Sequence, residues 1–316
     1  MGIDAVIVAG DGRASRKIFK RNKALLDVAG KPMIRHIVET LQGCKAIDHV
    51  VVVGPREKFE EVIGDLNVHI AQQKRSLAEN GWEGFLQTLP EYRQTGELTG
   101  DIIKKYHSKY VLFLSGDIPL LSVSELEEFI SRCDMDRYDY FAGVTSEEIL
   151  NLFGPRKGSP GIKMATFHTR EGNFRQNNLH MARPFVLFNS IDLVLKVYEY
   201  RYQKEFFNIL RAIMEIIRLG PGKIGRTLLL FLLLQISTGL AVIGLEPIAR
   251  IVSYPVRRER LEALMSALLG ARVKIVETTI GGAALDVDNE KDFMVLSIMY
   301  KDWMNHIAQR VSNLVK

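Results

Sequence analysis

The chain has 316 residues, enough to bury a full core as one large α/β domain or two small ones. Hydrophobic residues make up 47% and charged residues 25%, an ordinary globular balance that excludes a disordered chain. The formal net charge of +5 suits a protein that handles phosphates, while no basic tract is dense enough for a nucleic-acid binder.

In chain order, Ala5 to Gly10 is a short apolar run ending in glycine, followed by a loop rich in Gly, Arg and Lys. Pro32 to Gln42 reads as a helix with Met33, Ile37, Val38 and Leu41 on one stripe. Val50 to Gly54 is a buried-type strand and Glu57 to Ile63 a helix; His69 and Ile70 end a third strand, and Ser76 to Leu89 is helical. Tyr110 to Leu114 is a fourth strand, running into Ser115-Gly116-Asp117. Continuous apolar strands alternating with helices predict a parallel sheet covered on both faces, an α/β class of three layers. Tyr140 to Val144, Lys163 to His168 and Pro184 to Asn189 are expected to be strands joined by a polar stretch. Ile191 to Leu219 is strongly helical up to Gly220-Pro221-Gly222; Arg258 to Leu269 is a helix, Val273 to Thr278 a strand, and a terminal helix follows Asp288. The expected organisation is a catalytic α/β domain over 1–189 and 256–316, with a helical, apolar insertion at 190–255.

Within that insertion, Thr227 to Leu245 carries no charged residue, a length that just reaches a membrane span. Gln235, Ser237, Thr238, Gly239 and Gly244 in its second half favour a buried helix followed by a short strand. A helix lying on or dipping into a membrane is the alternative, because Lys223 and Arg226 flank it. Cys44 and Cys133 are too far apart for a zinc-ligand spacing or a disulfide framework, and are expected to be reduced in a cytoplasmic protein. The first residues lack a signal peptide's pattern, and Val6 stands where myristoylation calls for Ser or Thr.

The first loop reads Val8-Ala9-Gly10-Asp11-Gly12-Arg13-Ala14-Ser15-Arg16-Lys17. Glycines let backbone N–H groups approach a phosphate chain, and the cations can neutralise it. It matches neither G-x-G-x-x-G nor the P-loop, which argues against a dinucleotide oxidoreductase or a P-loop NTPase. Lys23 to Met33, KALLDVAGKPM, comes directly after. Together these residues resemble the opening of the MobA-like NTP transferase family, a GT-A-like nucleotide-diphospho-sugar transferase fold. That family begins with a strand, an L-A-G-G-x-G-x-R loop, a lysine and a K-P-L-L-x-V-x-G-K-P-M-like stretch. Gly10, Gly12, Lys23, Gly30, Lys31 and Pro32 fall on matching positions, either Arg13 or Arg16 stands for the family arginine, and Asp11 replaces a second glycine.

Two further stretches extend the resemblance. Leu112-Phe113-Leu114-Ser115-Gly116-Asp117 puts a hard oxygen donor just past a buried strand, where open α/β sheets bind ligands. Leu285-Asp286-Val287-Asp288 looks like the family's D-V-D-T-P-E-D-L stretch, and on a strand its carboxylates would share one face. The resemblance implies that Asp117 and Asp288, with Asp286 in support, hold Mg²⁺ (or Mn²⁺) against the phosphates of an NTP. It implies that Lys23, Arg13 and Arg16 stabilise the charge, and that Ala9, Gly10, Gly12, Gly116, Gln73 and Ser76 contact the nucleotide. For Ser76, helix capping is an equally good account. Asn178 and Arg183 are the acceptor-side candidates, since amides and arginines suit an anionic, hydroxyl-bearing acceptor. Asp292 is expected to cap or orient the terminal helix.

The expected function is nucleotidyl transfer from an NTP to a phosphorylated sugar, cofactor or lipid precursor, with release of pyrophosphate. A GT-A glycosyltransferase is the alternative enzyme, although Ser115 replaces the first carboxylate of its usual D-x-D. A membrane-associated nucleotide-binding protein without turnover is the third reading. A homodimer and a peripheral contact at the inner face of the membrane stay open.

Overall fold

The computed structural model describes residues 2–12, 17–187, 230, 233–234, 236–240 and 244–314. The strands are β1 (Ile3–Val8), β2 (Asp27–Val28), β3 (Lys31–Pro32), β4 (Ile47–Gly54), β5 (His69–Gln72), β6 (Val111–Ser115), β7 (Tyr140–Ser146), β8 (Phe167–Thr169), β9 (Gly172–Ala182) and β10 (Val273–Thr278). The helices are α1 (Met33–Gly43), α2 (Arg56–Ile63), α3 (Leu77–Leu86), α4 (Pro90–Thr95), α5 (Gly100–Tyr106), α6 (Val123–Ser131), α7 (Glu147–Leu150), α8 (Pro184–Leu187), α9 (Glu246–Ser253), α10 (Arg258–Leu269) and α11 (Glu290–Leu314).

Among the described residues the main sheet runs β10-β7-β9-β6-β1-β4-β5, with β8 paired to β9. β1 lies parallel to both β4 and β6, and β4 to β5, while β9 runs antiparallel to β6 and β7. Successive side chains of β1 leave the sheet on opposite faces, so Ala5 and Ile7 join one core cluster and Val6 another. On the first face α1, α2 and α6 supply Ile34, Ile37, Val38, Leu41, Phe59, Ile63, Leu126 and Phe129. On the second, α3 and α5 supply Phe85, Leu86 and Ile102. Buried apolar strands between two amphipathic helical layers give the expected mostly parallel α/β/α sandwich.

The second half departs from the expectation in two places. Pro184–Leu187 is a helical turn rather than a strand, since proline at a first helical position already holds the required φ and has no N–H to lose. Gly172–Ala182 is an 11-residue central strand rather than a polar connection. Its Arg175, Asn177 and Asn178 are satisfied by tertiary partners, so the apolar alternation that marks a strand is broken. The expected strand at Lys163 to His168 shrinks to Phe167–Thr169.

The helix expected over Ile191 to Leu219, and with it most of the proposed insertion, lies outside the described residues. Of the apolar run, Leu230, Leu233 and Leu234 pack against the cluster of Val144, Phe174, Val256, Leu261 and Ile275. Among the described residues no helix is long and apolar enough to cross a membrane.

Candidate active site

The chain passes from β1 outward to β4 and β5, then returns to β6 on the other flank of β1. That reversal opens a crevice beyond the carboxyl ends of β1 and β6, which are in register at Val8 and Ser115. Ala9, Gly10 and Gly12 leave β1 into it, and Gly116 and Asp117 leave β6. At Gly116 a Cβ would lie 2.5 Å from the Ala9 Cβ, so only glycine lets the two loops close on each other.

Lys23 is delivered by Asn22, a residue that the resemblance does not single out. Asn22 Nδ2 donates to the Ala9 carbonyl (2.8 Å) and its Oδ1 accepts from Ala24 N–H (2.9 Å). This buried asparagine ties the short 3₁₀ turn Lys23–Leu25 to the end of β1. An asparagine directly before a short helical segment is a capping signal, the one local sign available.

The Lys23 ammonium forms an ion pair with Asp117 Oδ2 and lies 3.6 Å from Asp288 Oδ1. Ser115 Oγ donates to the second oxygen of Asp117. Asp288 reaches the crevice because Val287 N–H donates to the Asp117 carbonyl (3.3 Å), joining the two chain segments directly. Residues 285–288 are not a strand, yet the alternation holds, with Leu285 and Val287 fully buried and alternating with the two carboxylates. Asp286 turns instead to Arg175 of β9 (2.7 Å), whose Nε also donates to the Ala284 carbonyl (3.2 Å). Burial pushes the Lys23 pKa down, but Asp117, and then Asp288 and Asp286, more than offset it and hold the ammonium above its ordinary range. Burial lifts the Asp117 carboxyl above the usual carboxylate range, the Lys23 charge draws it back, and Asp286 adds to the rise.

This arrangement fits a divalent cation. Two carboxylates from distant parts of the chain already share one positive charge, although among the described residues no group of three or more His, Cys, Asp or Glu is placed to hold a metal ion by itself. Mg²⁺ is commonly held by one or two carboxylates plus phosphate oxygens and water, which matches that donor set.

The remaining candidates separate into those near the crevice and those elsewhere. Arg13 and Arg16 lie outside the described residues. Gln73 clasps Asp11, its Oε1 accepting from Asp11 N–H (2.7 Å) and its Nε2 donating to Asp11 Oδ1 (2.7 Å). Asp11 Oδ2 is 3.7 Å from Lys58, so the carboxylate that replaces a family glycine has two partners of its own. Ser76 caps α3 by accepting from Glu79 N–H (3.2 Å). Lys31 pairs with Glu39 (2.7 Å). Asn178 donates to the Ala283 carbonyl (3.0 Å), on the same flank as Asp286. Asn289 caps the first turn of α11, its Oδ1 accepting from Asp292 N–H (2.9 Å), and Asp292 orients that cap by accepting from Asn289 Nδ2 (2.6 Å).

The expectation for Arg183 is corrected. This residue comes after Ala182, which pairs with Val111 and Tyr140 at the amino ends of β6 and β7, the opposite end of the sheet from Asp117. There it donates to Asp139 Oδ1 (3.0 Å) and the Met135 carbonyl (3.0 Å) and stacks over Tyr110 (4.6 Å). Arg272 and Arg183 hold Asp139 at about 2. A buried carboxylate claims the guanidinium, so Arg183 cannot reach an acceptor in the crevice.

The family model described as the MobA-like NTP transferase domain matches residues 5–205. The Bifunctional protein GlmU of Francisella tularensis subsp. holarctica (strain OSU18) is 29% identical over 147 residues, 46% of this chain and 28% of that protein. Its counterpart in Francisella tularensis subsp. novicida (strain U112) is 28% identical over 137 residues, 43% of this chain and 26% of that protein. The chain thus spans little more than a quarter of the length of these curated relatives. A hypothetical transferase from Thermus thermophilus superposes with a TM-score of 0.62 at 19% identity, covering 92% of this chain and 99% of that one, a likeness of fold. With well over half of its length matched by the family model, the chain belongs to the MobA-like NTP transferase domain family.

Proposed function

We propose that this chain transfers a nucleoside monophosphate from an NTP to a phosphorylated acceptor and releases pyrophosphate, with Mg²⁺ or Mn²⁺ held between Asp117 and Asp288. The observation that carries this reading is the convergence of those two carboxylates, 171 positions apart in the chain, on the single ammonium of Lys23. The family model matches residues 5–205 and leaves Asp288 outside, so its role rests on the likeness of the 285–288 stretch and on geometry.

On this reading an acceptor phosphate oxygen attacks the α-phosphorus, the bond to the β-phosphate oxygen breaks, and the electron pair leaves with pyrophosphate. Charge grows on the equatorial and leaving oxygens, so the chain's task is positioning and neutralisation rather than proton transfer. Lys23, kept protonated by its acidic neighbours, stands ready to follow that charge. In the 9–12 loop Ala9 N–H donates to the Val53 carbonyl (2.9 Å) and Asp11 N–H to Gln73 Oε1 (2.7 Å), so these two would have to exchange partners to meet a phosphate. Lewis-acid stabilisation of the developing charge is what a divalent cation would supply if held in the crevice. Asp117 and Asp288 would supply its anionic donors, while Asp286 is engaged by Arg175.

Asp11 bears on affinity. A carboxylate in the phosphate loop repels the substrate by about 1 kcal/mol at solvent-exposed range, so Asp11→Gly is expected to lower KM for the NTP about fivefold with kcat little changed. Steady-state kinetics check this; an unchanged or raised KM would mean that the clasp with Gln73 already screens the charge.

The reading is tested by incubating the protein with a panel of NTPs, Mg²⁺ and phosphorylated acceptors. Pyrophosphate release that Asp117→Asn abolishes is the expected result. Release of a nucleoside diphosphate from nucleotide sugars would point to a glycosyltransferase instead, and no release from any combination to a binding module. An acceptor that is a lipid precursor, and contact with a membrane, remain parts of this proposal to be tried in the same screen.

A further inference from the structure

Two acidic residues one helical turn apart on α6 play no part in the transfer reaction, yet they hold the turn that leads to Asp288. Glu125 is completely buried. Its Oε1 accepts from the Thr278 hydroxyl (3.1 Å) and Gly281 N–H (3.0 Å), and its Oε2 from Ala283 N–H (2.9 Å). Glu128 accepts from the hydroxyl (2.7 Å) and the N–H (2.9 Å) of Thr279. The Thr278 hydroxyl also meets Asn177 Nδ2 (3.1 Å) and Thr145 (3.3 Å), so the clamp is anchored on β9 and β7, and Arg310 of α11 donates to the Thr279 carbonyl (3.1 Å). At Gly282 a Cβ would fall 2.1 Å from the Leu120 carbonyl, so the turn is pressed against the stretch that joins Asp117 to α6.

Apolar side chains would pack such a turn without the cost of burying a carboxylate, and sites already crowded with Asp117, Asp286 and Asp288 gain nothing from more negative charge. What only a carboxylate supplies is several acceptors aimed at backbone N–H groups that face α6, fixing the turn in one conformation. The residues on either side of this clamp are Asp117, six positions before α6, and Asp286 and Asp288, a few positions after the turn.

We propose that Glu125 and Glu128 are positioning residues that fix the separation of Asp117 and Asp288 and so set the affinity of the site for a divalent cation. This rests on the reading that those two aspartates share one cation. Groups that orient metal ligands without touching the metal commonly matter about 10- to 100-fold in metal affinity.

The test is a titration with Mn²⁺ alone, followed by electron paramagnetic resonance of the free ion, on wild type, Glu128→Gln, Asp288→Asn and the double variant, with Glu125→Gln added where it folds. Circular dichroism melts verify folding, and Ile63→Val in α2 serves as a destabilised control far from the turn. Expected is a Mn²⁺ affinity about 10-fold or more weaker in Glu128→Gln, unchanged in Ile63→Val, and no weaker in the double variant than in Asp288→Asn. Wild-type affinity in Glu128→Gln, or additive losses in the double variant, would overturn the positioning role. No binding by wild type, or wild-type binding by Asp288→Asn, would instead sink the shared-cation reading beneath it.

Discussion

Lys23→Met is expected to remove nucleotidyl transfer by about two to three orders of magnitude, the usual effect of deleting one preorganised charge partner of the transition state. It should also destabilise the metal-free protein by about 3–5 kcal/mol, because Asp117 is left buried beside Asp286 and Asp288 without its counter-charge. The two effects can be separated by melting wild type and variant in EDTA and again in Mg²⁺. The cation should restore stability to the variant far more than to wild type, since it replaces the lost ammonium between the same carboxylates. Equal melting temperatures in EDTA would mean that Lys23 is not what neutralises Asp117.

The second large effect concerns Glu125. Burial pushes its carboxyl up to about 7 from an ordinary 4.5, against the pull of the Ala283, Gly281 and Thr278 donors. Between those values the folded chain keeps a proton that the unfolded chain has released. The contribution of this group to stability is therefore complete below about pH 4.5 and is lost as pH rises through about 7, amounting to about 3 kcal/mol. Urea unfolding of wild type and Glu125→Gln from pH 4.5 to 8 isolates it from other titrations. The advantage of wild type over the variant should shrink by about that amount across the window; a pH-independent difference would show that the carboxyl titrates normally.

Much of the site is legible in the sequence because its key residues sit where local pattern meets a simple rule of the fold. Apolar runs at Ala5 to Val8 and Val111 to Leu114 mark two neighbouring parallel strands, and the residues just past the ends of such strands face the crevice. Asp117 stands out in that way, Lys23 through the family resemblance, and Asp288 through an alternation that survives although no strand forms there. The features that stay hidden depend on partners far away in sequence. Asp11 reads only as a carboxylate in place of a glycine, because Gln73, which clasps it, comes 62 residues later. Arg183 looks like an acceptor ligand because Asp139 lies 44 residues earlier. β9 reads as a loop because the amide N–H groups of its buried Asn177 donate to Thr145 and Thr278, on strands that the local sequence does not connect. Glu125 gives no sign at all, since an acidic residue in the first turn of a helix is ordinarily a solvated dipole partner, and its three donors all come from the far end of the chain.

The most direct test of a cation shared by Asp117 and Asp288 is calorimetric titration of the preferred NTP, in Mg²⁺ and in EDTA, into wild type, Asp117→Asn and Asp288→Asn. Wild type should bind the nucleotide markedly more tightly with Mg²⁺, and either substitution should erase most of that gain. Should both variants retain the full Mg²⁺ enhancement, the two carboxylates would not be joint ligands of one ion, and the account would be contradicted at its centre.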